Sequence, residues 1–423
     1  MLSREENELV TRVGPGTPMG EVLRRYWMPA LLVSDLPAPD CPPVRVKLLG
    51  EELVAFRDTD GKVGLLDEYC PHRLASLFLG RNEECGLRCV YHGWKFDVAG
   101  NCTDMPNEPP ESRFKEKIHL QAYPTVELGG VIWAYLGPAE KKPEPPGMEW
   151  LRAPEQYRYV SKTMEYCNFV QGIEGGIDTV HSSFLHNNDL ANKGLRQIDT
   201  SPRLEVERTD YGFRYASIRN AGDEGNYVRV YQFVLPFHQF RSQRIDSRAS
   251  TGKAADVPSI RGHMWVPMDD ENTMIFNWMY AIDPAIPFTP DYIVKAETSS
   301  GRGPDGESGT VRRQTRENDW LIDRERQRTK TFTGIKGLNT QDLAVQESMG
   351  RIVPRWREHL GSTDKAVAAM RRILLDMVKD VRDGRDPLGV NPDTYRGVRA
   401  ADAMLPKDVP WQDAARDLLV ARV

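Results

Sequence analysis

The tightest constraint on this chain is a pair of short segments, Cys70-Pro71-His72 and Cys89-Val90-Tyr91-His92, with sixteen residues between them. Two thiolates and two imidazoles on paired loops can hold one metal centre, so the surrounding chain must fold as a scaffold that brings the loops together. Zinc accepts such a set, but zinc sites usually pair Cys with Cys and His with His, whereas here each loop supplies one of each. A two-iron, two-sulfide cluster fits better, one iron taking both Cys and the other both His. The six cysteines of 423 residues are too sparse for a disulfide framework. Cys85, close to the second loop, reads as a small buried side chain.

A second cluster lies in Glu174-Gly175-Gly176-Ile177-Asp178-Thr179-Val180-His181, followed by His186. On a regular helix Asp178 and His181 share a face, since residues three apart are neighbours. His186 falls about 140° around from His181, so both His reach one metal only where the helix ends or bends between them.

Around these clusters the chain divides by pattern. Residues 1–40 read as an N-terminal helical arm, broken by the turn GPGTP. From 41 to 140 come short segments rich in Val, Tyr, Trp and Phe with Gly and Asp turns, Thr59-Asp60-Gly61 among them, which predict a small antiparallel β domain. A Pro-rich linker covers 141–150. In 151–423 a helical stretch, EYCNFVQGIEGGIDTVHSSFLH, precedes long strand candidates that need covering helices, and TDKAVAAMRRILLDMVKDVRDG closes as an amphipathic helix. The polar stretches DSRASTGKAADVPS (246–259) and SSGRGPDGESGT (299–310) read as mobile loops or lids. The fold class is therefore α+β.

The longest apolar runs are far short of the roughly 20 residues of a membrane-spanning helix, and the charged start MLSREENELV carries no apolar signal core. With 56 Lys and Arg against 61 Asp and Glu, the net charge of −5 argues against nucleic-acid or anionic-membrane partners. The expectation is a soluble, cytoplasmic protein.

The C-x-H…C-x-x-H motif and the whole 41–140 region resemble the Rieske [2Fe-2S] domain, and the likeness extends over nearly the full chain. ENELVTRVGPGTPMGEVLRRYWMPALL, YHGWKFDVAGNCTDMPNEP and QDLAVQESMGRIVPRWREHLG resemble the phthalate dioxygenase branch of the Rieske non-heme iron oxygenases. Respiratory Rieske proteins bridge their cluster loops by a disulfide; the matching positions here are Ala75 and Tyr91, so the likeness is to the lower-potential oxygenase domains. The resemblance implies an N-terminal all-β Rieske domain and a C-terminal antiparallel-sheet catalytic domain of helix-grip type. It assigns Cys70, His72, Cys89 and His92 to the cluster, and His181, His186 and a carboxylate from LNTQDLAVQESMG to a mononuclear Fe(II). Asp342 fits that carboxylate's place; Glu347 is the alternative. Three open positions on such an iron bind O₂.

The resemblance also makes Asp178 an electron bridge, accepting hydrogen bonds from His92 of one subunit and His181 of the next. That requires an oligomer, a homotrimer or a hexamer of stacked trimers. Many relatives carry Asn three residues before this aspartate; Gly175 stands there, and the amide is missing. His119, His238, His263 and His359 fit no ligand spacing and read as structural or surface residues.

The implied activity is hydroxylation of an aromatic carboxylate, phthalate-, halobenzoate- or phenoxybenzoate-like, with O-demethylation of a methoxylated aromatic acid as the alternative. A Rieske electron carrier without oxygenase activity is an alternative of another class, against which the second metal cluster argues. The chain has no G-x-G-x-x-G fingerprint and no plant-type four-Cys pattern, so electrons from NADH come through a separate flavin and ferredoxin-type reductase. A carboxylated substrate favours a positioned Arg; Arg208, Arg241 and Arg244 are candidates, with Arg208 and Arg244 preferred. Phe233, Phe237 and Trp278 suit either an apolar ring pocket or the core.

Overall fold

Three small antiparallel sheets form the unit Val13–Pro145 of the computed structural model, which describes residues 1–303 and 312–422. One sheet joins Val44–Leu48, Glu51–Arg57 and Val63–Asp67 in sequence. Its second hairpin turns at Asp58–Lys62, where the Asp58 carboxylate accepts from the Lys62 amide at 2.8 Å and Gly61 has φ +83°. A second sheet has four strands of two or three residues between Arg81 and Asp104. The stretch GLRCVYHGWKFD is thus two short strands, Gly86–Arg88 and Lys95–Phe96, and Cys89–Trp94 is the loop between them.

The third sheet revises the helical arm. Pro18–Leu23 is a helix, but Trp27–Leu32 is a strand paired with Val131–Tyr135. Pro29, which has no amide hydrogen to give a ladder, sits beside the shift in register between Pro29 and Leu31. The first helix, Arg4–Thr11, is capped by a reciprocal Ser3–Glu6 box and belongs to the other unit, Met1–Arg12 with Pro146–Val423.

That second unit is built on an eight-stranded antiparallel sheet. Its strand order is Arg158–Glu165, Thr273–Ala281, Ala254–Pro267, His238–Ile245, Asn226–Val234, Gly212–Asn220 and Arg203–Thr209, with Ala401–Leu405 also pairing to Asn226–Val234. The stretch 246–259, read as a loop, is a strand from Ala254 onward. The second polar stretch, 299–310, lies outside the described residues from 304. Lys365–Arg382 packs on the Arg203–Thr209 end of the sheet, burying Val367, Met370, Leu374 and Met377 at helical spacing. Phe169–Ile177 packs across Ala254–Pro267, and Leu338–Ser348 packs against Phe169–Ile177.

Glycine sets the first of those contacts. Cβ atoms at Gly172 and Gly176, one turn apart, would stand 2.3 and 2.0 Å from the Trp265 ring, so the indole lies directly on the helix backbone. The helix is held from its other side by a buried charge network. Glu174 accepts from Arg355 Nε at 2.8 Å and Arg371 Nε at 2.6 Å, which offsets the cost of burying its charge. Among the described residues no helix is long and apolar enough to cross a membrane.

Candidate metal centres

The two loops of the first cluster repeat one hydrogen-bonding pattern. Leu74 N donates to Cys70 O at 2.9 Å and Cys70 N to Ala75 O at 3.0 Å; Gly93 N donates to Cys89 O at 3.0 Å and Cys89 N to Trp94 O at 2.8 Å. Each loop turns at a residue of positive φ, Leu74 and Gly93, and a Cβ at Gly93 would stand 2.6 Å from the Pro106 ring. Cys70 and Cys89 are buried at the loop bases, whereas His72 and His92 are only partly covered. The imidazoles meet edge to face at 4.4 Å, and His72 stacks on Trp94 at 4.5 Å. Burial, with Cys89 close by, pushes the Cys70 thiol up to about 12. Two buried thiols and two adjacent imidazoles are costly as free groups and suit a cluster that takes both thiolates on one side and both imidazoles on the other.

The second cluster is assembled by the end of a helix. The helix Phe169–Ile177 stops before either candidate His, and His181–Ser183 is a single 3₁₀ turn. Asp178 makes the transition: its Oδ1 accepts from Val180 N at 2.7 Å and His181 N at 3.4 Å. His186, five residues after His181 in the turn that follows, comes back so that the His181 and His186 Nε2 atoms are 3.2 Å apart. Asp342 Oδ1 lies 3.1 Å from His186 Nε2 and 3.5 Å from His181 Nε2. Three donors at metal–ligand distances of about 2.1 Å and right angles are separated by about 3 Å, so the triangle fits one face of a six-coordinate metal.

The outward nitrogens are also placed. His181 Nδ1 faces Asp178 Oδ2 at 3.5 Å, and His186 Nδ1 faces Gln341 Oε1 at 2.8 Å. Burial works against charge on Asp178, and the hydrogen bond and charge of His181 outweigh it, so the carboxyl titrates below its ordinary range. The same balance, with His186 and His181 as partners, lowers Asp342. Glu347 is placed elsewhere. It pairs with Arg312 at 2.5 Å and accepts from Tyr166 N and Trp320 Nε1, which leaves Asp342 as the carboxylate of the triangle.

The triad opens into a cleft of about 640 Å³. One face of the sheet lines it through alternate residues, Tyr231, Gln239, Arg241, His263 and Trp265, and Arg196 and Arg229 stand at its wall. The preferred arginines are not there. Arg208 is on the edge strand, ion-paired to Asp376 of the last long helix at 3.1 Å and largely exposed. Arg244 does not line the cleft; it sits at the shift in register between Gln243 and Ile245, and its backbone amide donates to Asp402. Phe233 packs on Phe213 and Trp278 on Trp150, both within the core, and neither lines the cleft. His263, read as structural, does line it, its Nδ1 2.9 Å from Asn277 Oδ1. Sequence reasoning missed Gln341, Arg196 and Arg229. Gln341 had a signal in its place beside Asp342; Arg196 had none, because it sits on a short helix, Leu195–Ile198, after the second motif with no spacing that ties it to the triad.

Known proteins match both units. Residues 26–124 match the Rieske [2Fe-2S] domain family and 134–420 the LigXa C-terminal domain like family. The chain is 39% identical to the phthalate 4,5-dioxygenase oxygenase subunit of Pseudomonas putida, over 98% of this chain and 94% of that one. It is 38% identical to the 3-chlorobenzoate-3,4-dioxygenase oxygenase subunit of Comamonas testosteroni, over 98% of each. The 5,5'-dehydrodivanillate O-demethylase oxygenase subunit of a Sphingobium species is 33% identical over 92% of this chain and 84% of the relative. In fold it is similar to dicamba monooxygenase bound to dicamba, with a TM-score of 0.62 and 18% identity over 86% of this chain and 99% of that one. The cofactors of such a subunit are a [2Fe-2S] cluster and a non-heme iron that uses O₂, with electrons supplied from NADH through a reductase. The donor sets described above fit both groups, and the chain belongs to the Rieske non-heme iron oxygenases, as an oxygenase subunit of the phthalate dioxygenase-like branch.

Proposed function

We propose that this oxygenase hydroxylates the ring of an aromatic acid whose anionic group is held by Arg196, Arg229 and Arg241. The carrying observation is the charge of the cleft: three guanidinium groups line it beside the triad. Burial and the charge of Arg229 together push Arg196 and Arg241 down to about 10. Among the described residues neither Arg196 Nε nor Arg229 Nε has a hydrogen-bond partner. Cations held this way are costly until an anion pairs with them, and a carboxylate suits the planar guanidinium. Phthalate and chlorobenzoate, named for the two relatives above, carry such groups.

On this reading His181, His186 and Asp342 hold the iron, and Cys70, His72, Cys89 and His92 hold the cluster. Bound there, the iron binds and activates O₂ with electrons passed on by the cluster. The chain's own part is to orient. Gln341 and Asp178 fix the two imidazoles with Nε2 facing the metal, the arginines set the carboxylate end of the substrate, and the Trp265 side of the cleft excludes water. Asp178, with its side chain partly exposed, is placed to link His181 to His92 of a second copy, which calls for a trimer or stacked trimers fed by a flavin and ferredoxin-type reductase. NADH places the system in the cytoplasm.

The test is product mass spectrometry with ¹⁸O₂, NADH, a flavin–ferredoxin reductase and a panel of phthalates, halobenzoates, phenoxybenzoates and methoxybenzoates. A ring product with two labelled oxygens and two added hydrogens supports the proposal. Loss of a methyl group as formaldehyde establishes the demethylase reading instead, the activity named for the Sphingobium relative. Turnover confined to uncharged aromatics refutes the arginine reading.

A further inference from the structure

Gly175 lies inside the helix Phe169–Ile177, and its φ is not positive. Glycine there is not required by the backbone and costs about 1 kcal/mol relative to alanine in a helix interior. What it provides is space. A Cβ at 175 would stand 1.8 Å from Gln346 Nε2 and 2.8 Å from Gln346 Cδ, so the Gln346 carboxamide occupies the place a side chain at 175 would take.

Gln346 comes from the helix Leu338–Ser348, one turn after Asp342 and on the same face. It is 5% exposed. It lines the cleft that holds the triad, and also a second opening of about 690 Å³ that reaches Asp178 and His181 from another side. Its backbone carbonyl accepts from Gln171 Nε2 at 3.2 Å, but its carboxamide makes no hydrogen bond among the described residues. Neither carboxamide atom is among the side-chain polar atoms closed off without a partner, so the amide opens to the cleft and its N–H groups are free to donate to something bound there.

We propose that Gln346 is a contact residue of the iron pocket: its Nε2 donates a hydrogen bond to the small oxygen-side ligand on the open face of the triad, and Gly175 is retained to admit it. The amide absent at 175 is delivered from 346, by the element that also carries Asp342. The proposal rests on the assignment of His181, His186 and Asp342 as iron ligands and is independent of the substrate.

Nitric oxide is the probe, because it adds to the open face of Fe(II) without turnover. Reduced, iron-loaded protein is titrated with it while the EPR signal of the adduct is recorded. Gln346→Leu keeps the volume and removes the donors; Gly175→Ala leaves Gln346 in place but displaces its amide while favouring the helix. Both variants are expected to retain iron and cluster, to change the splitting of the adduct signal and to weaken nitric oxide binding about fivefold, the scale of one lost hydrogen bond. Gly175→Asn combined with Gln346→Ala is expected to return both readouts most of the way. Unchanged splitting and affinity in Gln346→Leu and Gly175→Ala overturn the proposal, as does loss of iron from both to the level of Asp342→Ala, which makes the contact purely structural. A His186→Ala protein that keeps a wild-type adduct overturns the ligand assignment itself, and the proposal with it.

Discussion

Gln341 Oε1 faces His186 Nδ1 at 2.8 Å, and the amide has no freedom to turn round. Its Nε2 donates to Asn188 Oδ1 at 2.8 Å and to Ile335 O at 2.9 Å, so the oxygen is the atom left for the imidazole. His186 is thereby protonated on Nδ1 and presents the lone pair of Nε2 to the triangle it forms with His181 and Asp342. Gln341→Leu should lower iron affinity about 10- to 100-fold while the cluster spectrum is unchanged. Gln341→Glu, which keeps the acceptor, should lose less. Metal analysis after dialysis against a graded chelator separates the two variants.

Asp342 and Glu347 are five residues apart on one helix and should respond oppositely. Asp342→Ala is expected to abolish mononuclear iron with little effect on folding. Glu347→Ala should keep the iron but destabilise the protein by about 3–5 kcal/mol, because buried Arg312 is left without its partner. Urea unfolding with parallel iron determination checks both; iron loss in Glu347→Ala alone would exchange their roles.

Stability should fall as pH rises through the range set by Glu165. Burial, then the charge of Glu347, push its carboxyl up to about 8, from an ordinary 4.5. Between those values the folded state holds a proton that the unfolded state has released, so raising pH favours unfolding, and the effect is complete above about pH 8. At about 1.4 kcal/mol per unit the loss is on the order of a few kcal/mol. Glu165→Gln should remove that slope. Denaturant midpoints for variant and parent from pH 5 to 9 are expected to diverge with rising pH; parallel curves would show that Glu165 is ionised in the folded state.

For the arginines the expected split is between the cleft and the surface. Arg241→Gln should raise KM for a carboxylated substrate about 10- to 100-fold, the range of a lost charge-assisted hydrogen bond. Arg208→Gln should leave it unchanged, since its partner is Asp376. Steady-state kinetics on one acid and its methyl ester give the answer: the ester should lose the difference between the two variants.

The parts of the site that were legible in the sequence are those whose spacing is local. Cys70-Pro71-His72 and Cys89-Val90-Tyr91-His92 announce a shared metal because each is one tight loop whose ligands are close together in the chain. His181 and His186 were harder. Read as one helix, EYCNFVQGIEGGIDTVHSSFLH points them in different directions, and only the capping of the helix end by Asp178 brings them together. Trp27–Leu32 was read as helix because its pairing partner, Val131–Tyr135, is about a hundred residues away. The cleft arginines were illegible for a related reason. Whether Arg208, Arg241 or Arg244 faces the iron depends on the phase of a strand within the sheet, which a one-residue shift reverses.

The helix Leu338–Ser348 carries Gln341 and Asp342, which meet opposite nitrogens of His186, Gln346, which fills the space at Gly175, and Glu347, which pairs with Arg312. Such an element is locked in length. One residue inserted between Leu343 and Val345 rotates everything after it by about 100°, carrying the Gln346 amide away from Gly175 and Glu347 away from Arg312 while Asp342 stays in place. Variation in this branch should therefore enter this helix as substitution and almost never as insertion or deletion. A natural relative with a changed helix length is expected to have rebuilt its iron pocket from residues outside it.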